Sequence, residues 1–298
     1  MGIPTRISDM GANPGSPAAR GEAGAISVGS EQVMVFRAFG IVLLLLAAAV
    51  DLAQAAREEP RRAGTAAPVV RDFESGRLDG WVPQVVAPYS VTVVTDIVRR
   101  GRYAARFEVR QGDRPGSRGY RAELQDIYDA PAGAELWYGF STYIPPDFPI
   151  QKNRCVIGQW WAPPDNKTEK DARRSPALAH RYENGIFRVT LRFSQEKTQS
   201  RNDGRQRVLL EVRNFPRGTW HDSVYRVRWS SGDDGIVEGW LDGTKVIDYR
   251  GSVGYNDRRA PYFKVGLYRD DVPETYVVHF DEYRRGHSYA DVDPAAKR

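Results

Sequence analysis

One cysteine, Cys155, occurs in 298 residues, so the chain cannot close an internal disulfide and its stability must come from packing alone. Cys155 stands in the apolar run CVIGQWW, where a thiol packs as a small hydrophobe far more readily than it acts as a nucleophile. Only four histidines are present, His180, His221, His279 and His287, and none falls in a Cys/His zinc spacing. No phosphate-binding glycine loop, no G-x-S-x-G elbow and no EF-hand spacing occurs. No long amphipathic helical pattern is found either. The longest apolar run, Phe39 to Val50, is too short for a comfortable membrane span.

What the chain does hold is glycine (28), proline (19) and aromatics (11%), the composition of a turn-rich β protein with enough apolar residues for a core. From residue 56 onward 40 Lys and Arg face 34 Asp and Glu, a basic excess that favours anionic partners. Most of those cations are arginine, whose planar fork suits carboxylates. Export and the modest size of the excess weigh against nucleic acid.

The N-terminal part reads as targeting sequence. Residues 1–33 are rich in Gly, Ala, Ser and Pro, and are expected to be a non-native or disordered extension, with Met34 the true start. Residues 34–56 have a short basic region with Arg37, the apolar run, and Ala53 and Ala55 at A-x-A spacing, the pattern of a secretory signal cleaved near Ala55 or Ala56. Residues 57–67 read as a linker, 68–290 as one β domain, and 291–298 as a tail. The expected product is secreted or periplasmic, monomeric, and without stable membrane association after cleavage.

From Pro68 onward strand signals recur between turn residues. They predict strands at Val69–Glu74, Ser90–Thr95, Tyr103–Arg110, Tyr120–Asp126, Leu136–Tyr143, Arg154–Trp160, Ile186–Phe193, Arg207–Arg213, Ser223–Trp229, Ile236–Leu241, Lys245–Tyr249, Tyr262–Arg269 and Tyr276–Tyr283. Asp242-Gly243 reads as a tight hairpin turn. This spacing, without an internal repeat or a second core, predicts an all-β fold: a single β-jelly-roll sandwich of two antiparallel sheets. Two polar stretches, 162–176 and 194–206, interrupt the strands as loops. Their Lys167, Lys170, Arg173, Arg174, Lys197, Arg201 and Arg205 are either cationic walls for a polymer or simply solvated.

The sharpest signal is YFKVGLYR, Tyr262–Arg269. Phe263, Val265 and Leu267 alternate onto one face; Tyr262, Lys264, Gly266 and Tyr268 fall on the other, with the glycine leaving room for an approaching group. YRAELQ at Tyr120–Gln125 likewise separates Tyr120, Ala122 and Leu124 from Arg121, Glu123 and Gln125. CVIGQWW ends in Gln159, Trp160 and Trp161, whose adjacent indoles should face opposite sides. A cationic, amide-bearing and phenolic sheet face with indoles is a natural surface for an acidic sugar.

In this order RAEL, GQW and YFKVGLYR resemble the motif set of β-jelly-roll polysaccharide lyases, closest to the heparin lyase I-like and glucuronan lyase group and shared with jelly-roll alginate lyases. The similarity extends through WYGFSTYIPPDF (Trp137–Phe148), GTWHDSVYRVRWS (Gly218–Ser230), EGWLDG (Glu238–Gly243) and FDEYRRG (Phe280–Gly286), about residues 69–290. The resemblance implies an exported lyase that cuts a 4-linked, uronate-containing anionic polysaccharide by β-elimination. Arg121 and Gln159 match positions that neutralise the uronate carboxylate, and Tyr268 and Lys264 match the catalytic tyrosine and the lysine of the same motif. Nearby cations would favour the phenolate needed for Tyr268 to take a proton. Glu123, Trp160, Trp161, Tyr262 and Arg269 are the expected substrate contacts. No cofactor is needed for the chemistry. Relatives bind calcium, and a structural calcium here would draw on carboxylates such as Glu74, Glu211, Glu238, Asp257 or Asp281, assembled across strands.

One departure matters. Where many relatives carry a histidine two residues after the glutamine, this chain has Trp161. His180, in PALAHRY, could reach the site from a neighbouring strand or be structural; His221 and His279 read as structural. In D-glucuronate and D-mannuronate the C5 proton and the C4 oxygen leave from one face, so one tyrosine can serve both, whereas L-configured uronates need a second group. A glucuronan-like or mannuronate polymer is therefore expected. Arg121 could instead form a sheet ion pair with Glu123, and Tyr268 could merely stack. Two further readings remain: a non-catalytic carbohydrate-binding sandwich, and a glycoside hydrolase on the same fold, which would need two carboxylates facing each other across the bond.

Overall fold

A computed structural model describes residues 67–114, 119–165, 174–198 and 204–296. In chain order its strands are β1 (Val69–Arg71), β2 (Trp81–Gln84), β3 (Val91–Val94), β4 (Ala104–Val109), β5 (Tyr120–Asp126), β6 (Glu135–Tyr143), β7 (Cys155–Trp161) and β8 (Leu178–Glu183). They continue as β9 (Ile186–Ser194), β10 (Arg205–Arg213), β11 (Trp220–Arg228), β12 (Ile236–Leu241), β13 (Thr244–Arg250), β14 (Gly254–Tyr255), β15 (Tyr262–Arg269) and β16 (Tyr276–Gly286). A single-turn helix, α1 (Tyr289–Val292), follows. Residues 1–66, which hold the expected extension, signal and nearly all of the linker, lie outside the described residues. Among the described residues no helix is long and apolar enough to cross a membrane.

The strands form two eight-stranded sheets. The first runs β13-β12-β11-β6-β16-β4-β3 with β1 beside β16, and the second β10-β9-β8-β7-β15-β5-β2 with β14 beside β9. Apart from the β14–β9 pair, neighbouring strands are antiparallel. This is the jelly-roll sandwich that the strand spacing predicts. Asp242 and Gly243, at φ +50° and +78°, make the hairpin between β12 and β13, where a turn needs positive φ at both central residues.

Alternation builds the core. Phe107, Phe140 and Phe280 of the first sheet meet Trp160, Phe263 and Leu267 of the second, all fully buried, with Phe140 and Phe263 centroids 4.8 Å apart. A buried carboxylate also ties the sheets together: Asp126 of β5 accepts from Tyr283 Oη at 2.6 Å and Arg285 Nε at 2.9 Å, both on β16, and from Arg71 on β1. Cys155 is buried, and burial pushes its thiol up to about 12.

Two irregularities set which residues reach the outer surface of the second sheet. The pairing of β15 with β7 shifts between Val265 and Tyr268, around Gly266 at φ +116°. A Cβ on Gly266 would lie 2.6 Å from Phe107 Cδ1. The space left by this glycine is thus filled from the core by Phe107, not kept for a ligand. The pairing of β7 with β8 shifts between Val156 and Gly158, which turns Trp160 inward and Gln159 and Trp161 outward.

The outer face of the first sheet is partly covered. Trp137, Val224, Tyr289 and Val292, with Trp240 packed against them, form a second apolar cluster beneath α1. Asp291 N–H donates to Ser288 Oγ at 3.3 Å, capping that turn.

Candidate active site

On the second sheet β15 lies between β5 and β7. Lys264 pairs in register with Gln125 on one side and Gln159 on the other, and Tyr268 with Arg121 and Val156. Ala122, Leu124, Ile157, Trp160, Phe263, Val265 and Leu267 are spent on the core. The alternate positions therefore bring Arg121, Glu123, Gln159, Lys264 and Tyr268 together on the opposite face.

Glu123 is the hub of this cluster and is almost fully buried. It accepts from Gln159 Nε2, from Arg121 Nη1 at 3.4 Å, and lies 3.7 Å from Lys264 Nζ. Its oxygens are taken up by these donors, and an ionised carboxylate has no hydrogen to offer an anionic sugar, so it does not contact a uronate. It holds three donors in place and supplies the negative charge that lets two cations sit side by side. The expectation of a direct substrate contact is corrected accordingly. Gln84 on β2, which the sequence did not single out, completes the network: its Oε1 accepts from Lys264 Nζ at 2.9 Å and Arg121 Nη1 at 3.3 Å, and its Nε2 donates to Gln125 Oε1 at 3.0 Å. Burial pulls Lys264 below its ordinary range, despite Glu123 beside it. Burial, with Glu123 adding to it, pushes Tyr262 up to about 12.

Tyr268 is partly exposed, and two guanidiniums stand over its ring, Arg121 at 4.7 Å and Arg154 at 4.6 Å from the centroid. Arg154 was not foreseen; Asp270 anchors it at 2.7 Å. Gly119, at φ +147°, backs the phenol so closely that a Cβ there would lie 2.6 Å from Tyr268 Cε2. Arg121 Nε is buried and has no acceptor among the described residues, so this guanidinium keeps a donor unused. Trp161 is partly exposed, its ring 5.6 Å from Tyr262 and 5.8 Å from Lys264 Nζ.

Three expected site residues lie elsewhere. Trp160 is fully buried, wedged between Tyr138, Tyr225 and Phe263. His180 shares its inward face with Leu178 and Tyr182; its Nε2 is 2.7 Å from Tyr225 Oη, and burial pulls it down to about 3. It can carry no proton at the site. Arg269 is fully buried, donating to the carbonyls of Asp270 (2.8 Å), Val272 (3.0 Å) and Glu274 (3.2 Å), so it braces the following loop.

The other histidines and the carboxylates considered for calcium are engaged in structure. His221 Nδ1 meets Asp242 at 2.8 Å, and His279 is buried beside Tyr143. Glu74 accepts from the Arg102 and Tyr103 amides, Asp281 from those of Arg99, Arg100 and Glu282. Glu211, Glu238 and Asp257 pair with Arg188, Lys245 and Arg174. Among the described residues no three metal-ligating side chains gather into one cluster. Of the loop cations, Lys167, Lys170, Arg173 and Arg201 lie outside the described residues, Lys197 donates to Asn256 at 2.9 Å, and Arg205 is exposed.

The model of the polysaccharide lyase family matches residues 73–284. Among solved structures, an endo-β-1,4-glucuronan lyase from the fungus Trichoderma reesei aligns at 23% identity and TM-score 0.65, over 77% of this chain and 99% of that one. A GH131 β-glucanase catalytic domain from Podospora anserina aligns at 13% identity and TM-score 0.50, over 73% and 88%. An alginate lyase from a Chlorella virus aligns at 11% and TM-score 0.47, over 73% and 98%. At these identities the first two likenesses speak for the fold alone. No curated protein sequence matches this chain.

Proposed function

The chain belongs to the polysaccharide lyase family, and from that premise we propose that it cleaves a 4-linked D-hexuronate polymer by β-elimination on the outer face of the second sheet. The observation that carries this reading is the convergence of Arg121, Gln159, Lys264 and Tyr268 on one sheet face, with the Arg121 guanidinium over the Tyr268 ring.

The C5 proton of a uronate is only weakly acidic, and removing it places charge on the carboxylate. Arg121 and Gln159 donate to that carboxylate and stabilise the enolate-like anion in a preorganised setting. The Tyr268 oxygen takes the C5 proton. The electron pair forms the C4–C5 double bond as the C4–O4 bond breaks, and the departing O4 takes the proton from Tyr268. Lys264 adds positive charge beside the same carboxylate. Among the described residues no histidine stands on this face, because His180 turns into the core, His221 and His279 belong to the first sheet, and His287 directly follows β16 of that sheet. That favours a reaction run by one proton-transfer group, hence a substrate whose proton and leaving oxygen share a face: a glucuronan-like or mannuronate polymer. The enclosure of Glu123 weighs against a hydrolase, which needs an accessible pair of carboxylates. Export on the signal in residues 34–56 belongs to the same proposal, since such polymers lie outside cells.

The test is the ultraviolet absorbance of the unsaturated product on glucuronan, polymannuronate, polyguluronate and heparin. Product from the D-configured polymers is expected. Cleavage confined to L-configured polymers would refute the one-tyrosine argument, and tight binding without product would replace the lyase with a binding module.

A further inference from the structure

The outer face of the second sheet carries a further group of cations beyond the cluster around Tyr268. On β8, Leu178, His180 and Tyr182 point inward and Ala179, Arg181 and Glu183 outward; on β9, Phe187, Val189, Leu191 and Phe193 point inward and Arg188, Thr190 and Arg192 outward. Registers link these strands to the site. Lys264 pairs with Gln159, Gln159 with Ala179, and Ala179 with Thr190, so Thr190 stands two strand steps, about 10 Å, from Gln159. Tyr268 pairs with Val156 and Val156 with Arg181 along the neighbouring row.

Arg181 and Arg192 flank Thr190. Arg181 Nε donates to Thr190 Oγ1 at 3.0 Å; Arg192 lies two residues along the strand and donates to Gln206 Oε1 at 2.6 Å. Both side chains are partly exposed, and among the described residues neither meets a carboxylate. Arg121, Arg154, Arg188, Arg226 and Arg285 all have acidic partners. The Arg192 Nε is buried without an acceptor among the described residues. Burial, then the charges of Arg192 and Arg154, pull Arg181 below its ordinary value, and Glu183 opposes them only in part. Cations gathered in a half-buried place, with no carboxylate in contact among the described residues, are costly unless an anion joins them.

We propose that Arg181 and Arg192 form a second carboxylate-binding site, one that holds a uronate of the same polymer further along the chain from the bond served by Tyr268. This rests on the lyase reading for the nature of the ligand. It adds that the protein recognises a run of acidic residues, and that a lone uronate among neutral sugars is a poor substrate.

The experiment is calorimetric titration of 4-linked D-glucuronate oligomers of increasing length into the Tyr268→Phe protein, with Arg181→Gln, Arg192→Gln and Arg181→Lys added in that background and folding checked by thermal melting. In the parent, affinity should rise as the oligomer becomes long enough to reach Arg181. Each Gln variant should lose about tenfold on long oligomers, the scale of one charge-assisted hydrogen bond, and almost nothing on the shortest. Arg181→Lys should restore part of the loss. Equal loss at every length, no loss at any length, or no binding of any oligomer would overturn the inference. If Arg181→Gln fails to fold, Arg192→Gln decides by the same criteria. Absence of unsaturated product from the protein with Tyr268 intact would sink the lyase reading alone and leave the length dependence to be judged by itself.

Discussion

The Arg121 guanidinium lies 4.7 Å from the centre of the Tyr268 ring, and the two residues pair directly across β5 and β15. Carboxylate recognition and proton transfer would thus be set side by side by a single strand pairing, not by loops. The site is as rigid as the sheet that carries it.

Tyr268→Phe keeps the ring under both guanidiniums and removes only the oxygen. Turnover should fall by about 10²-fold or more, the scale of one positioned proton-transfer group, with the melting temperature nearly unchanged. Steady-state kinetics on glucuronan and a melting curve check this; a loss under tenfold would assign the proton to another group.

The neighbouring indoles should behave oppositely. Trp160→Ala opens a hole in the core and should cost about 3–5 kcal/mol of stability. Trp161→Ala should barely move the denaturation midpoint yet raise KM several-fold, because a stacking contact of about 1 kcal/mol would be lost. Equal stability losses in the two variants would show that Trp161 serves the core as well.

Gly119→Ala should place a methyl group against the phenol of Tyr268 at a backbone angle that L residues rarely adopt. We expect kcat to fall more than KM changes, since the ring is displaced while Arg121 and Gln159 stay put. Unchanged kcat in a folded variant would mean that Tyr268 does not need its present position.

Two buried histidines should make the fold acid-labile. His180 is held down at about 3 and His279 at about 4, both by burial, against about 6.5 in an unfolded chain. As pH falls below 6.5 the unfolded chain takes up protons that the folded one refuses, so the stability these groups give is present above pH 6.5 and drains away toward pH 4 and 3. Each contributes a slope of up to about 1.4 kcal/mol per pH unit in that window. Urea melts between pH 7 and pH 4.5 should show a shallower dependence for His279→Leu than for the parent. Identical slopes would mean that His279 is protonated in the fold.

Much of this was legible in the sequence. Alternation in YFKVGLYR and YRAELQ predicts which side chains share the outer face, and the structure agrees at Lys264, Tyr268 and Arg121. Three strands went unrecognised, β2, β8 and β14, and two of them account for several misses. Pro83 breaks the β2 pattern, which edge strands alone tolerate, and with β2 went Gln84. Without β8, His180 could be imagined reaching the site, and Arg181 was invisible. Yet the alternation Leu178, His180, Tyr182 already marks an apolar face, and would have placed His180 inside. The choice between Trp160 and Trp161 was not available, because the shift in β7 beside Gly158 decides it and that shift depends on how β8 pairs. Nor did residue type separate Arg269 from Arg121; a run of backbone carbonyls captures the first.

The lone thiol turns into an internal clock. Cys155 is sealed in β7, directly opposite Arg269 on β15, and its proton is held too tightly for ready alkylation. A thiol reagent can reach it only when β7 and β15 part. The rate of labelling under native conditions therefore counts how often the sheet that bears Lys264 and Tyr268 opens. With no second cysteine to compete for the reagent, that count needs no engineering of the chain.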